Sequence, residues 1–418
     1  MMEIEGSVLT NPTSAGRRPR LLFGVTASVS VAFYFGLYRY LREQGFDVSV
    51  VSSGGRELDL AREEGASAFA VQMEREISPR HDLVSLWRLW RLIRKIRPDI
   101  TNMGTPKSGL LGGLAARMAG VPHRIYTLHG LRLETMGGWK RKLLTIAERI
   151  ACRCAHRVHC VGPSLRKRAI DLGVVGSGKA VVPGPGTCAG IDTARFDATP
   201  DRRSEALRLR RQLGVDAMAP VIGFVGRFTR DKGISELYRA FVAVREQHSM
   251  LRLLLVGDFE AGDPVPADVR QAIESDHAVI RTGFVRDVAP FYHLMDICVL
   301  PTYREGFPGV PLEAQAAGVP VITTDATGAM DSVLHGKTGL IVPVGNVDAL
   351  SAAIDRLLSD PPLRKRMGEA GCEWVNAVFR REIVWAAYLG AFQDMVSPAE
   401  MLAPNLERIE CETSFRQW

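Results

Sequence analysis

A chain of 418 residues is too long for one core of ordinary size and predicts two domains. Its 46% apolar and 24% charged residues are those of a soluble globular protein, and seven scattered cysteines exclude a disulfide framework, which points to a reducing, cytoplasmic setting. A formal charge of +7 favours an anionic partner and leaves nucleic acid, acidic lipid and phosphate-bearing substrates open.

Residues 1–18 read as a loose tail. Leu21 to Tyr38 carries no charge and follows Arg17-Arg18-Pro19-Arg20, the profile of a signal anchor. Gly24, Thr26, Ser28, Ser30 and Gly36 interrupt it, however. A helix ending at Gly45 and an apolar strand, Phe46 to Val51, then follow, which together make a βαβ unit. The small turn Thr26-Ala27-Ser28 lets backbone approach a phosphate or an acceptor. It lacks the G-x-G-x-x-G spacing of a dinucleotide site.

Val84 to Pro98 predicts a basic amphipathic helix with Trp87 and Trp90, and Trp139-Lys140-Arg141-Lys142 opens a second that runs to about Cys154. Each reads either as a core helix with a solvated basic face or as a surface for anionic membrane. Between them, Arg124 to Leu128 forms a strand with His129-Gly130 at its carboxyl end, where open α/β sheets put their ligands.

In the second half, Val221 to Val225 is a buried strand that breaks into Gly226-Arg227, and Asp231-Lys232-Gly233 starts the next helix. Two cations beside a helix start can hold a diphosphate and neutralise its charge as it departs. Asp296 to Pro301 is another buried strand. Glu305-Gly306-Phe307-Pro308-Gly309-Val310-Pro311-Leu312-Glu313 follows, read as a loop and a short helix with Pro311 at its first position and Glu313 in its first turn. Free N–H groups from Gly309 to Leu312 suit an anion, and the two glutamates suit hydroxyls on either side of it. Gly336-Lys337-Thr338 lacks the earlier glycine of a P-loop, which excludes a nucleotide triphosphatase.

Glu305 and Glu313 together resemble the E-x7-E signature of retaining GT-B glycosyltransferases of family 4. Gly226-Arg227, four residues and Lys232-Gly233 resemble that family's G-R-x4-K-G motif. Gly190-Ile191-Asp192 to Phe196 is similar to its domain-ending passage, and His129-Gly130 to its histidine motif. The resemblance implies an α/β protein of GT-B fold: two Rossmann-like domains with parallel sheets facing a cleft. Their expected extents are 19–192 and 193–379, with a helix over 380–396 crossing back to the first domain and a tail over 397–418. It implies transfer from a nucleotide-diphosphate sugar, UDP-linked in preference, with no metal cofactor. Arg227 and Lys232 would hold the diphosphate, Glu305 the sugar and Glu313 the ribose. The imidazole of His129 would face the sugar, and Phe284, Val285 and Arg286 would touch the base. With the basic helices, it also implies a lipid-linked saccharide acceptor at the membrane's inner face and no nucleic acid partner. Asp331 stands where many relatives carry glutamate. An epimerase of the same fold would need further carboxylates in the first domain's cleft, and the sequence points to none there. A non-catalytic two-lobed sugar receptor would need no diphosphate cations.

Overall fold

The computed structural model describes residues 17–74, 76 and 78–396. The two expected tails lie outside them apart from Arg17 and Arg18. Thirteen strands form two sheets. The first sheet holds β1 (Arg20–Gly24), β2 (Asp47–Ser52), β3 (Ser67–Ala70), β4 (Ile100–Gly104), β5 (His123–Leu128), β6 (Arg157–Cys160) and β7 (Ala180–Val181). The second holds β8 (Val221–Val225), β9 (Arg252–Val256), β10 (Val279–Arg281), β11 (Ile297–Leu300), β12 (Val321–Thr324) and β13 (Gly339–Val342). Their orders are β3-β2-β1-β4-β5-β6-β7 and β10-β9-β8-β11-β12-β13, and the pairs are parallel. Apolar strand runs such as Val221-Ile222-Gly223-Phe224-Val225 are buried throughout, as a sheet covered on both faces requires.

Each order reverses once, between β1 and β4 in the first sheet and between β8 and β11 in the second. Ligands of such sheets bind outside the carboxyl ends of the strands at this reversal. In the second sheet the loops at that point are the ones that carry Arg227, Lys232 and Glu305.

The stretch with an anchor-like profile is β1, a 3-10 helix over Ser28–Tyr34 and the start of the helix Leu37–Glu43, with Val31, Tyr34 and Tyr38 in the core. Among the described residues no helix is long and apolar enough to cross a membrane. The final described helix, Arg381–Val396, sends Val384, Tyr388 and Phe392 into the core of the first sheet. The two chain passages between the halves pair with each other: the Ile191 N–H donates to the Phe379 carbonyl at 2.7 Å, and Arg381 N–H returns to Ile191 at 3.1 Å.

One expected element starts elsewhere. The helix after β11 spans Gly309–Ala316, capped by Pro308, so Pro311 is its third residue and Glu313 lies beyond its first turn. Proline is tolerated there because the first four N–H groups of a helix have no partner within it. Glu313 is therefore held by a side-chain partner and not by the helix terminus.

Within the first core, Glu148 of the helix Gly138–Cys154 is buried and accepts a hydrogen bond from the Tyr126 hydroxyl at 2.7 Å. Burial pushes its carboxyl up from 4.5 to about 7. The folded state thus binds a proton that the unfolded state releases. The stability this group contributes is complete below pH 4.5 and is lost as the pH climbs to about 7, a loss of about 3 kcal/mol. Glu148→Gln should therefore gain melting temperature over the wild type at pH 8 relative to pH 5. An equal difference at both values would show that this carboxyl ionises freely.

Candidate functional site at the cleft between the sheets

Lys232 ends the turn Arg230–Lys232 after β8, and Glu305 sits on the loop after β11. The fold joins them: the Lys232 ammonium pairs with Glu305 Oε1. Both are largely enclosed, at 21% and 13% side-chain exposure, so the pair is screened less than a surface one. Arg227 is not brought into this pair. It is 67% exposed and engages Glu260 on the loop after β9. The two cations lie on one loop system with separate carboxylate partners.

Glu313 Oε2 accepts from the Tyr292 hydroxyl at 2.7 Å, and burial raises its carboxyl above the usual range. Its Oε1 points back over the helix start, since a Cβ added at Gly309 would lie 3.8 Å from it. The N–H groups of Gly309, Val310 and Leu312 are available there, whereas Pro311 has none. Leu312's side chain is fully buried in the second core, so only its backbone can serve a ligand. Pro308 is buried as the cap, and Phe307 packs between the halves with its ring 5.5 Å from Phe379. Gly306 is required by a close approach, because any side chain would collide with the His129 carbonyl oxygen. Phe284 is 82% exposed after β10, with Arg286 exposed beside it and Val285 packed on the second core.

His129 does come to this point, and both nitrogens of its imidazole face groups of the first domain. Nε2 is 2.9 Å from the Tyr34 hydroxyl and Nδ1 is 3.9 Å from Cys188 Sγ. Its backbone carbonyl is what meets Gly306. Enclosure by protein lowers the ring to about 4, so it is neutral near pH 7. The turn Thr26-Ala27-Ser28 lies at the reversal of the first sheet with its hydroxyls already committed. Thr26 bonds Thr105 Oγ1 at 2.8 Å, and Ser28 donates to Glu57 at 2.7 Å.

Sequence reasoning missed most of the groups that bridge the halves, and it noted Asp331 without its partner. Glu134, five residues after His129, accepts from Thr327 Oγ1 at 2.9 Å and so puts a carboxylate on the first domain's side of the cleft. Asp331 accepts from Ser164 Oγ at 2.7 Å and from its N–H at 3.0 Å, and burial raises its carboxyl above the usual range. Arg304 donates to Thr135 Oγ1 at 2.9 Å. The one available signal was a carboxylate on the loop leaving β5 at its ligand end. Among the described residues no three His, Cys, Asp or Glu side chains converge closely enough to hold a metal ion.

The profile described as glycosyl transferases group 1 matches residues 206–374, and that of the glycosyl transferase 4-like domain matches residues 32–186. The capsular polysaccharide biosynthesis glycosyltransferase CapM of Staphylococcus aureus is 35% identical over 376 residues, 90% of this chain and 97% of that one. The UDP-Gal:alpha-D-GlcNAc-diphosphoundecaprenol alpha-1,3-galactosyltransferase of Escherichia coli is 26% identical over 337 residues, 78% of this chain and 84% of that one. Among solved structures, Anabaena Alr3699/HepE in complex with UDP and glucose has the same fold, with a TM-score of 0.74 at 20% identity over 89% of this chain and 99% of that one. The chain is thus a glycosyltransferase and belongs to family 4, with the GT-B fold.

Proposed function

We propose that the enzyme moves a sugar from a nucleotide-diphosphate donor, UDP-linked in preference, to a polyprenyl-diphosphate-linked saccharide, with retention of anomeric configuration. The observation that carries this is the enclosed Lys232–Glu305 pair beside the helix start that Glu313 overlooks. A diphosphate seated between Lys232, Arg227 and the N–H groups of Gly309, Val310 and Leu312 meets positive charge on every side. Glu305 then reaches the sugar hydroxyls and Glu313 the ribose. Phe284, Val285 and Arg286 flank the base.

In this mechanism the bond from the anomeric carbon to the phosphate oxygen breaks, and its electron pair leaves with the diphosphate. The acceptor hydroxyl attacks from the same face and passes its proton to the departing phosphate oxygen. His129, neutral and held by Tyr34, takes no proton. Protein cations carry the leaving-group charge, so no metal cofactor is required. EDTA is expected to leave turnover within about twofold, and loss of activity restored by a divalent ion would refute that part.

Relatedness to CapM and to the Escherichia coli enzyme supports a surface polysaccharide product and a lipid-linked acceptor. The surface does as well. The helices Pro79–Ile96 and Gly138–Cys154 both flank Pro106–Met118, and they expose Leu83, Val84 and Trp87 on one and Trp139, Leu143 and Ile146 on the other. Exposed arginines and lysines surround these residues, among them Arg88, Arg91, Lys140 and Arg141. Such a face suits the anionic inner surface of a membrane. Replacing Trp87 and Trp139 together with serine should weaken sedimentation with phosphatidylglycerol-containing vesicles by about tenfold and leave binding of free UDP unchanged. Equal sedimentation of variant and wild type would remove the membrane from the proposal.

A screen of UDP- and GDP-sugars, scored by nucleotide release with and without a membrane lipid extract, tests the whole reading. Release that needs the extract, with an α-linked product from an α-linked donor, supports it. A sugar altered without any acceptor would make the protein an epimerase, and nucleotide binding without release a receptor.

A further inference from the structure

The groups that cross the cleft do more than join two surfaces. Glu134 closes the short turn Arg132–Glu134 after β5. Its Oε1 takes two donors, Arg168 Nε at 2.9 Å and the Thr327 hydroxyl of the other domain at 2.9 Å. Its Oε2 is buried with no partner. A buried acceptor left unpaired is unfavourable, and its persistence asks what it serves.

Thr327 holds the answer at its other end, where its carbonyl accepts the N–H of Glu305 at 2.9 Å. The neighbouring Gly328, at φ +79°, lies so close that any side chain would collide with the carbonyls of Glu305 and Gly306. Its own N–H donates to Ser164 Oγ of the first domain at 2.7 Å. The segment that fixes the backbone of Glu305 is therefore itself tied to the first domain twice, once through the Thr327 hydroxyl and once through the Gly328 amide.

We infer that Glu134 and Thr327 are positioning residues, a relay through which the acceptor-side domain aligns Glu305 for the donor held on the other. The inference rests on the reading of Glu305 as the carboxylate that grips the sugar. Docking of the first domain locks the Glu134–Thr327 bond, the Thr327 carbonyl stays on the Glu305 amide, and the carboxylate keeps its aim beside Lys232. Without the relay the donor still binds, since Arg227, Lys232 and Glu313 are in place, but Glu305 wanders.

The test pairs Thr327→Val, which removes the hydroxyl, with Thr327→Ser, which restores it, and adds Glu134→Ala and the double variant. Hydrogen exchange at the Glu305 amide, calorimetric binding of UDP and GDP, and turnover with the donor returned by the sugar screen are read on each. Thr327→Val and Glu134→Ala should speed exchange at Glu305 by about tenfold and lower kcat by a similar factor, with nucleotide affinity within twofold. Thr327→Ser should behave as wild type, and the double variant should be no worse than either single one. Unchanged exchange in Thr327→Val, a Thr327→Ser as damaged as the valine variant, or additive losses would overturn the relay. Should Glu134→Ala not fold, the valine and serine pair decides alone. Normal turnover in Glu305→Ala would instead sink the reading of Glu305 and leave the exchange result standing.

Discussion

Replacing Glu305 with alanine is expected to lower sugar transfer by about a thousand-fold while the protein stays folded, because in the proposed function the lost group grips the sugar hydroxyls during reaction. The side chain is not part of either core, and the hydrogen bond its N–H donates to the Thr327 carbonyl belongs to the backbone, which alanine keeps. Its one side-chain partner, Lys232, retains access to water and need not be left as an uncompensated buried charge. Nucleotide release in the presence of acceptor, together with a thermal melt of the same sample, measures both halves of the statement. A folded variant that turns over within tenfold of the wild type would remove Glu305 from the chemistry.

Lys232→Ala should cost nearly as much, about a hundred- to a thousand-fold in kcat, for a different reason. In the proposed function the ammonium is the enclosed cation beside the departing diphosphate, and its removal leaves Glu305 as an unpaired negative charge facing that anion. Donor KM should rise as well, because the ground state already carries the diphosphate. Arg227→Ala is expected to do less, about tenfold and mostly in KM, since its guanidinium is mainly solvated and must leave Glu260 to help. In the double variant Lys232→Ala with Glu305→Ala the losses should not add, as for any two groups that act as a unit. Steady-state kcat and KM on the four proteins decide this. Equal effects of Lys232→Ala and Arg227→Ala would mean that enclosure is irrelevant to the role.

The Lys232–Glu305 meeting was legible because each residue follows a buried strand, and parallel strands that share a reversal bring their carboxyl-end loops together. Arg227 shows the limit of that logic: the strand end fixes where its backbone leaves the sheet, while a long side chain chooses its partner among exposed acids such as Glu260. The orientation of His129 was hidden for another reason. Tyr34 and Cys188, 95 and 59 residues away, turn the ring, and no short pattern encodes contacts at that separation. Glu134, Thr327 and Ser164 were missed likewise, and Asp331 was noted without its partner, since partners separated by 193 and 167 residues meet only once both domains exist. The misplaced start of the helix Gly309–Ala316 had a local cause: proline fits any of the first helical positions, so Pro311 marks the first turn without marking its first residue.

The return of the helix Arg381–Val396 to the first sheet has a consequence for biogenesis. A ribosome delivers β1 to β7 long before Val384, Tyr388 and Phe392, which belong to the same hydrophobic core. The early half of the nascent chain must therefore wait with an apolar gap on one face until the rest has been translated, whereas the later half holds its own core and can close as it emerges.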